Sequence, residues 1–130
     1  MSHNLLVELL QRDLAMNIEA LIDKARKTPE LVEFNEVIAV IESHYHYSPT
    51  RFTNGLAVNE AGHNEGSCKI FAFAKLNNLD ENETLALFGK FYREDVLQNP
   101  EGSDHANIRN FMQKGWAGID FEQMPLTAES

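Results

Sequence analysis

The sequence predicts a mainly α domain: a compact bundle of about five helices with one long Asn/Gly-rich loop, about 49–66, with room for a short hairpin. Three observations predict it. Apolar residues recur every three or four positions along most of the chain, caps and stops punctuate those runs, and one stretch crowded with Asn and Gly breaks the pattern. With 130 residues, 43% of them hydrophobic, a single domain over 1–130 can bury a core without staples.

Leu6, Leu10, Leu14, Ile18, Leu21 and Ala25 keep helical spacing, with Ser2 or Asn4 as cap. Residues 1–16 read as an N-terminal helical extension, and Asp13 offers a second start. Thr28-Pro29 restarts helix, Thr28 as cap and Pro29 at the first position. Phe34, Val37, Ile38, Ile41 and Tyr45 line one face of that helix, which Ser48-Pro49 ends. Asn54-Gly55, Asn59, Gly62, Asn64 and Gly66 then favour tight turns. Gly66 is expected at φ > 0 just before the next helix. From Ser67, the run Ile70, Phe71, Phe73, Ala74 and Leu76 leaves almost no polar face, which marks a central buried helix. Asp80 and Glu83 form a capping box for a helix with Leu85, Phe88, Phe91, Tyr92 and Val96 inward. Ser103 or Asp104 caps a last helix carrying Ile108, Phe111 and Met112, and Gly115 stops it. Trp116, Ile119 and Phe121 are expected to pack the tail onto the body.

Composition excludes several functions. Eleven basic residues against 20 acidic give −9, with no Lys/Arg cluster to neutralise phosphates, so no nucleic-acid partner is expected. The same charge argues against anionic membrane surfaces, and no segment approaches the ~18 apolar residues of a membrane span. The single Cys68 suits a reducing compartment, and no signal peptide is recognisable, so a cytoplasmic location is expected. A secretion system that reads a chaperone-held N-terminus would leave no such signal.

Chemistry concentrates in two places. Cys68 falls in the first turn of a predicted helix beside Lys69, where unsatisfied N–H groups and positive charge can lower a thiol pKa. With His105 as base and Asn107 as orienter it would form a nucleophilic set; among Phe71 and Phe73 it would equally serve as a packing residue. His44, His46, His63 and His105 lack metal-site spacing, so neither metal nor cofactor is expected. Arg51, Arg93 and Arg109 read as ties for loop carbonyls or carboxylates; alternatively His105 and Arg109, four apart on a helix, bind a small anion. Asn54, Asn59, Asn64, Asn107 and Asn110 either fix loop conformation or line a polar pocket. Candidate binding residues are therefore Asn54, Asn59, Asn64, Arg93, Asp104 and Arg109.

Several strings are distinctive together. They are Arg51-Phe52-Thr53-Asn54-Gly55, then Asn59-x-Ala61-Gly62-x-Asn64-x-Gly66-Ser67-Cys68-Lys69-Ile70-Phe71, and Phe88-Gly89-x-Phe91-Tyr92-Arg93-x-Asp95. Asp104-His105-x-Asn107-Ile108-Arg109-Asn110-Phe111 and Gly115-Trp116-x-Gly118-Ile119-x-Phe121 complete them. The chain resembles the HopJ (HopPmaJ) type III effector family over about residues 18–122. That resemblance implies a bacterial binding or effector module with a protein partner or a small polar ligand. It adds secretion through a type III system as the alternative location, and it carries over no reaction. Histidines at 44 and 46 are not part of the family's pattern. The rival readings are a thiol-dependent hydrolase or transferase using Cys68 and His105, and a small structural homodimer.

Overall fold

The structure, a computed structural model, describes residues 16–129. The expected helical extension over 1–16 lies outside them except for Met16, which packs against the core. Asn17 caps helix α1 (Ile18–Lys27), its side chain accepting from the Ala20 N–H at 2.7 Å, and Leu21 and Ala25 turn inward. The single helix expected from Pro29 to Tyr45 is instead two pieces. Pro29–Leu31 forms one 3₁₀ turn, and α2 starts only at Phe34, running to His44. Thr28 does not cap with its side chain; its hydroxyl donates back to the Lys24 carbonyl.

The bundle expectation fails at the next step: the fold is mixed α/β, with two small antiparallel sheets. Strand β1 (Tyr45–Tyr47) follows α2 without a loop and pairs with β5 (Leu126–Ala128) in the tail. Strands β2 (Phe52–Asn54) and β3 (Ala57–Asn59) form the hairpin for which the loop had room. Its two-residue turn is Gly55, at φ +61°, and the fully exposed Leu56. Positive φ at the first central residue alone is the II′ pattern, whose twist suits the flanking strands. The tail strand β4 (Ile119–Phe121) joins the other edge of β2, giving the order β3-β2-β4. Each strand has three residues, too few for the two-residue alternation that announces a strand from sequence.

Helix α3 (Glu65–Leu76) is central, as expected, with Cys68 and Ile70 to Ala74 all buried. Phe71 is its hub: Phe111, Phe88, Phe52 and Trp116 lie 4.9, 5.4, 6.2 and 6.5 Å away by ring centroid. Asn78, at φ +57°, closes α3, with Leu79 N–H reaching back to the Ala74 carbonyl and Asn78 N–H to that of Lys75. Asp80 then opens α4 (Glu81–Ala86) with both bonds of the expected capping box.

The long helix expected beyond it is interrupted. Gly89 sits at φ +60°, and a Cβ there would lie 2.8 Å from the Phe34 backbone nitrogen. The chain turns at this close approach and resumes as a π-helical segment, Phe91–Val96. Helix α5 (Ala106–Lys114) ends at Gly115 (φ +59°), as the sequence suggested. Trp116, in the following 3₁₀ turn, donates Nε1–H to the Leu79 carbonyl at 3.1 Å, which ties the tail to the α3–α4 junction.

Candidate functional site

Three buried amides hold the β2–β3 hairpin to the start of α5. Asn54, Asn59 and Asn107 are 0%, 4% and 8% exposed. Asn54 donates to the Asn107 carbonyl at 2.8 Å and to Asn107 Oδ1 at 3.0 Å. Asn59 donates to that same Oδ1 at 3.2 Å, and Asn107 returns a bond to Asn59 Oδ1 at 2.9 Å. Asn64 reaches Asn59 Oδ1 at 2.7 Å, and Asn110 reaches the Asn54 carbonyl at 3.2 Å. An amide carries donors and an acceptor in one group, so the cluster satisfies most of its groups out of water; Asn54 Oδ1 alone is buried without a partner among the described residues.

Beside this cluster lies a cavity of about 550 Å³, within the range of small-molecule sites. Asn59, Asn64, Ser67, His105 and Asn107 supply its polar lining, and Phe34, Phe88 and Phe91 its aromatic side. Two helices begin on it. Their N-cap residues, Asn64 and His105, both stand in the left-handed region at φ +54° and +52°, and neither caps with its side chain. The first helix-type bonds are Cys68 N–H to Asn64 and Arg109 N–H to His105, so the amides between lack i−4 acceptors. Gly66, Ser67, Ala106, Asn107 and Ile108 carry five of those amides and all line the cavity.

His105 is held by Asp95 and by the aromatic side of the cavity. Its Nε2 lies 3.0 Å from Asp95 Oδ2, and its ring packs 5.2 Å from Phe91, which meets Phe34 edge-on at 5.0 Å. Asp104 and Arg109 serve the neighbouring loop. Arg109 donates to Asp104 Oδ1 and to the Asp104 carbonyl at 2.6 Å each, and to the Asn99 carbonyl at 3.0 Å. The Arg109 guanidinium holds the Asp104 carboxyl below its usual range. Arg93 donates to the carbonyls of Val32 (2.7 Å) and Pro29 (3.3 Å), fastening the 3₁₀ turn. Both arginines thus act as ties; Arg51 lies near Glu60 at 3.4 Å. None of the three lines the cavity.

Cys68 has other company. It is 1% exposed, and its partners are the Tyr47 hydroxyl, the Thr50 backbone, Glu65 and Lys69. Burial pushes its thiol up to about 11, and the Tyr47 hydrogen bond offsets only part of that. Desolvation therefore outweighs the lysine effect expected from sequence. Burial and the Glu65 carboxylate also raise Tyr47 well above the ordinary phenol range. The partners of Cys68 and those of His105 share no residue, and Cys68 is absent from the cavity lining. Gly66 has ordinary φ; the left-handed residue is Asn64, and a Cβ at Gly66 would press on the Phe34 ring at 3.0 Å. Among the described residues, no three His, Cys, Asp or Glu gather where they could hold a metal ion.

The sequence reading missed Ser67, Asp95, Phe34 and Phe91 as site residues. All four stand inside strings already singled out or on an assigned helix face, but only the fold brings Ser67, Phe34 and Phe91 to one cavity with His105, which Asp95 holds.

These features define a mixed α/β domain with an amide-lined cavity between two helix starts. The family model described as "HopJ type III effector protein" matches residues 18–126, and the chain belongs to that family. The protein VPA0580, whose crystal structure is printed as that of an unknown-function protein, is 53% identical. That structure superposes with a TM-score of 0.87 over 89% of this chain and 97% of the other. No curated protein matches. No helix among the described residues is long and apolar enough to cross a membrane.

Proposed function

We propose that this HopJ-family chain is a binding module and that its site is the cavity between the starts of α3 and α5, taking a small polar ligand. One observation carries the reading: residues whose helix-start amides lack i−4 acceptors, together with the buried Asn59 and Asn107, line a single cavity of about 550 Å³. The thiol-enzyme reading has less behind it, since Cys68 sits outside that cavity with a raised pKa.

An NMR-monitored screen of small polar compounds against the ¹⁵N-labelled chain tests this. Saturable shifts are expected at Asn59, Asn64, Ser67, His105 and Asn107. A screen in which no compound at millimolar concentration moves those signals removes the proposal. The family description brings type III secretion with it, and we extend it to this chain only as an alternative to a cytoplasmic role. A translocation reporter fused to the full chain separates the two.

A further inference from the structure

We infer that the ligand of this cavity carries an oxyanion, a carboxylate or a phosphate, on a small body whose apolar part lies against Phe34 and Phe91. The inference rests on the binding-module reading and specifies its ligand chemistry. It begins with how the buried amides spend their hydrogen-bonding groups. Asn107 Oδ1 already accepts from Asn54 and Asn59, and Asn59 Oδ1 already accepts from Asn64 and Asn107. Asn107 uses one amide hydrogen on Asn59, and its second has no acceptor among the described residues. This side chain is over nine-tenths buried and lines the cavity, so what it offers a ligand is a donor.

The backbone points the same way. The cap side chains that would normally occupy the first-turn amides are drawn elsewhere, Asn64 to Asn59 and His105 to Asp95. First-turn residues of two helices, whose amides lack i−4 acceptors, therefore line one space beside the positive ends of the helix dipoles. The side-chain acceptors at the lining are Asn64 Oδ1, Ser67 Oγ, which can donate as well, and His105 Nδ1 when Nε2–H is given to Asp95; the five first-turn amides and the Asn107 hydrogen outnumber them.

Charge agrees with this. The chain has 20 acidic residues, yet no Asp or Glu lines the cavity. Those adjacent in the chain to lining residues have partners: Glu33 with Arg93, Glu60 with Arg51, Glu65 with Tyr47 and Asp104 with Arg109, while Asp95 pairs with His105. The remaining negative charge acts through salt solution, which screens it beyond about 8 Å. Phe34 and Phe91 give the ligand's body an aromatic wall.

The test titrates the ¹⁵N-labelled full chain with benzoate, phenyl phosphate and benzamide, the last matching benzoate in shape but uncharged. Either anion should shift the backbone amides of Gly66, Ser67 and Asn107 saturably, at least tenfold tighter than benzamide. The better of the two identifies the oxyanion. Benzamide binding as well as the anions overturns the inference and leaves the binding module standing; no shift from any compound across the screen and this series removes both. Ser67→Asp places a carboxylate in the cavity at a helix position that favours acid, so it should fold normally and lose anion binding at least tenfold. Undiminished anion binding by that folded variant also overturns the inference.

Discussion

Replacing Asn107 with Ala tests whether the amide cluster fastens the hairpin to α5. The change removes three side-chain hydrogen bonds: those accepted from Asn54 and Asn59, and the one donated to Asn59. No partner is left wholly bare, because Asn54 keeps the Asn107 backbone carbonyl and Asn59 keeps Asn64 and the Phe52 carbonyl. The loss is therefore closer to the net worth of each bond, about 1 kcal/mol, than to a full desolvation penalty. Alanine returns about 0.5 kcal/mol in helix propensity. The balance is a destabilisation of about 2–3 kcal/mol, or roughly 8–12 °C in Tm for a chain of this size. Urea unfolding followed by circular dichroism measures it, with Asn110→Ala as a comparison that loses one bond and costs about 1 kcal/mol. An Asn107→Ala change below 0.5 kcal/mol would refute the view that the cluster clamps these elements.

The buried Cys68 thiol should resist iodoacetamide near neutral pH until the protein unfolds; labelling of the native state at the rate of a free thiol would contradict its placement. Its pKa is raised on folding from 9.0 to about 11, so the protonated native form is favoured: this stability is complete below pH 9 and lost as pH rises toward 11. Cys68→Ala should flatten that alkaline decline, and an unchanged profile would assign it elsewhere. Gly89→Ala and Gly62→Ala both demand positive φ, but only Gly89 also meets backbone, at 2.8 Å. Gly62→Ala should cost about 1–2 kcal/mol and Gly89→Ala clearly more; equal costs would show that the approach to Phe34 is not tight. Trp116→Ala should lose about 3 kcal/mol, and a change within 0.5 kcal/mol would mean the tail does not depend on its contacts with Phe111 and Leu79.

Local physics was legible in the sequence. The α3 interior, the Asp80–Glu83 capping box, the Gly115 stop and the Asn54-Gly55 turn each depend on residues a few positions apart. Their signals are spacing, a cap or a glycine, and all stand in the chain. The family strings were legible for the same reason, and the matched region confirms them.

Tertiary structure decided the rest. Tyr45 pairs with Ala128 and Asn54 with Ile119, contacts between three-residue strands far apart in the chain, so no local period foretold a mixed α/β fold. Gly89 broke a helix whose apolar pattern was unbroken, because the approach of Phe34 is a long-range constraint. Cys68 and His105 both stand near helix starts, and both starts border the cavity, yet the Cys68 thiol is buried against Tyr47 while His105 lines the cavity. Sequence determines which groups stand at a helix start, but burial and the direction of the neighbouring helix decide whether they meet a core or a cavity.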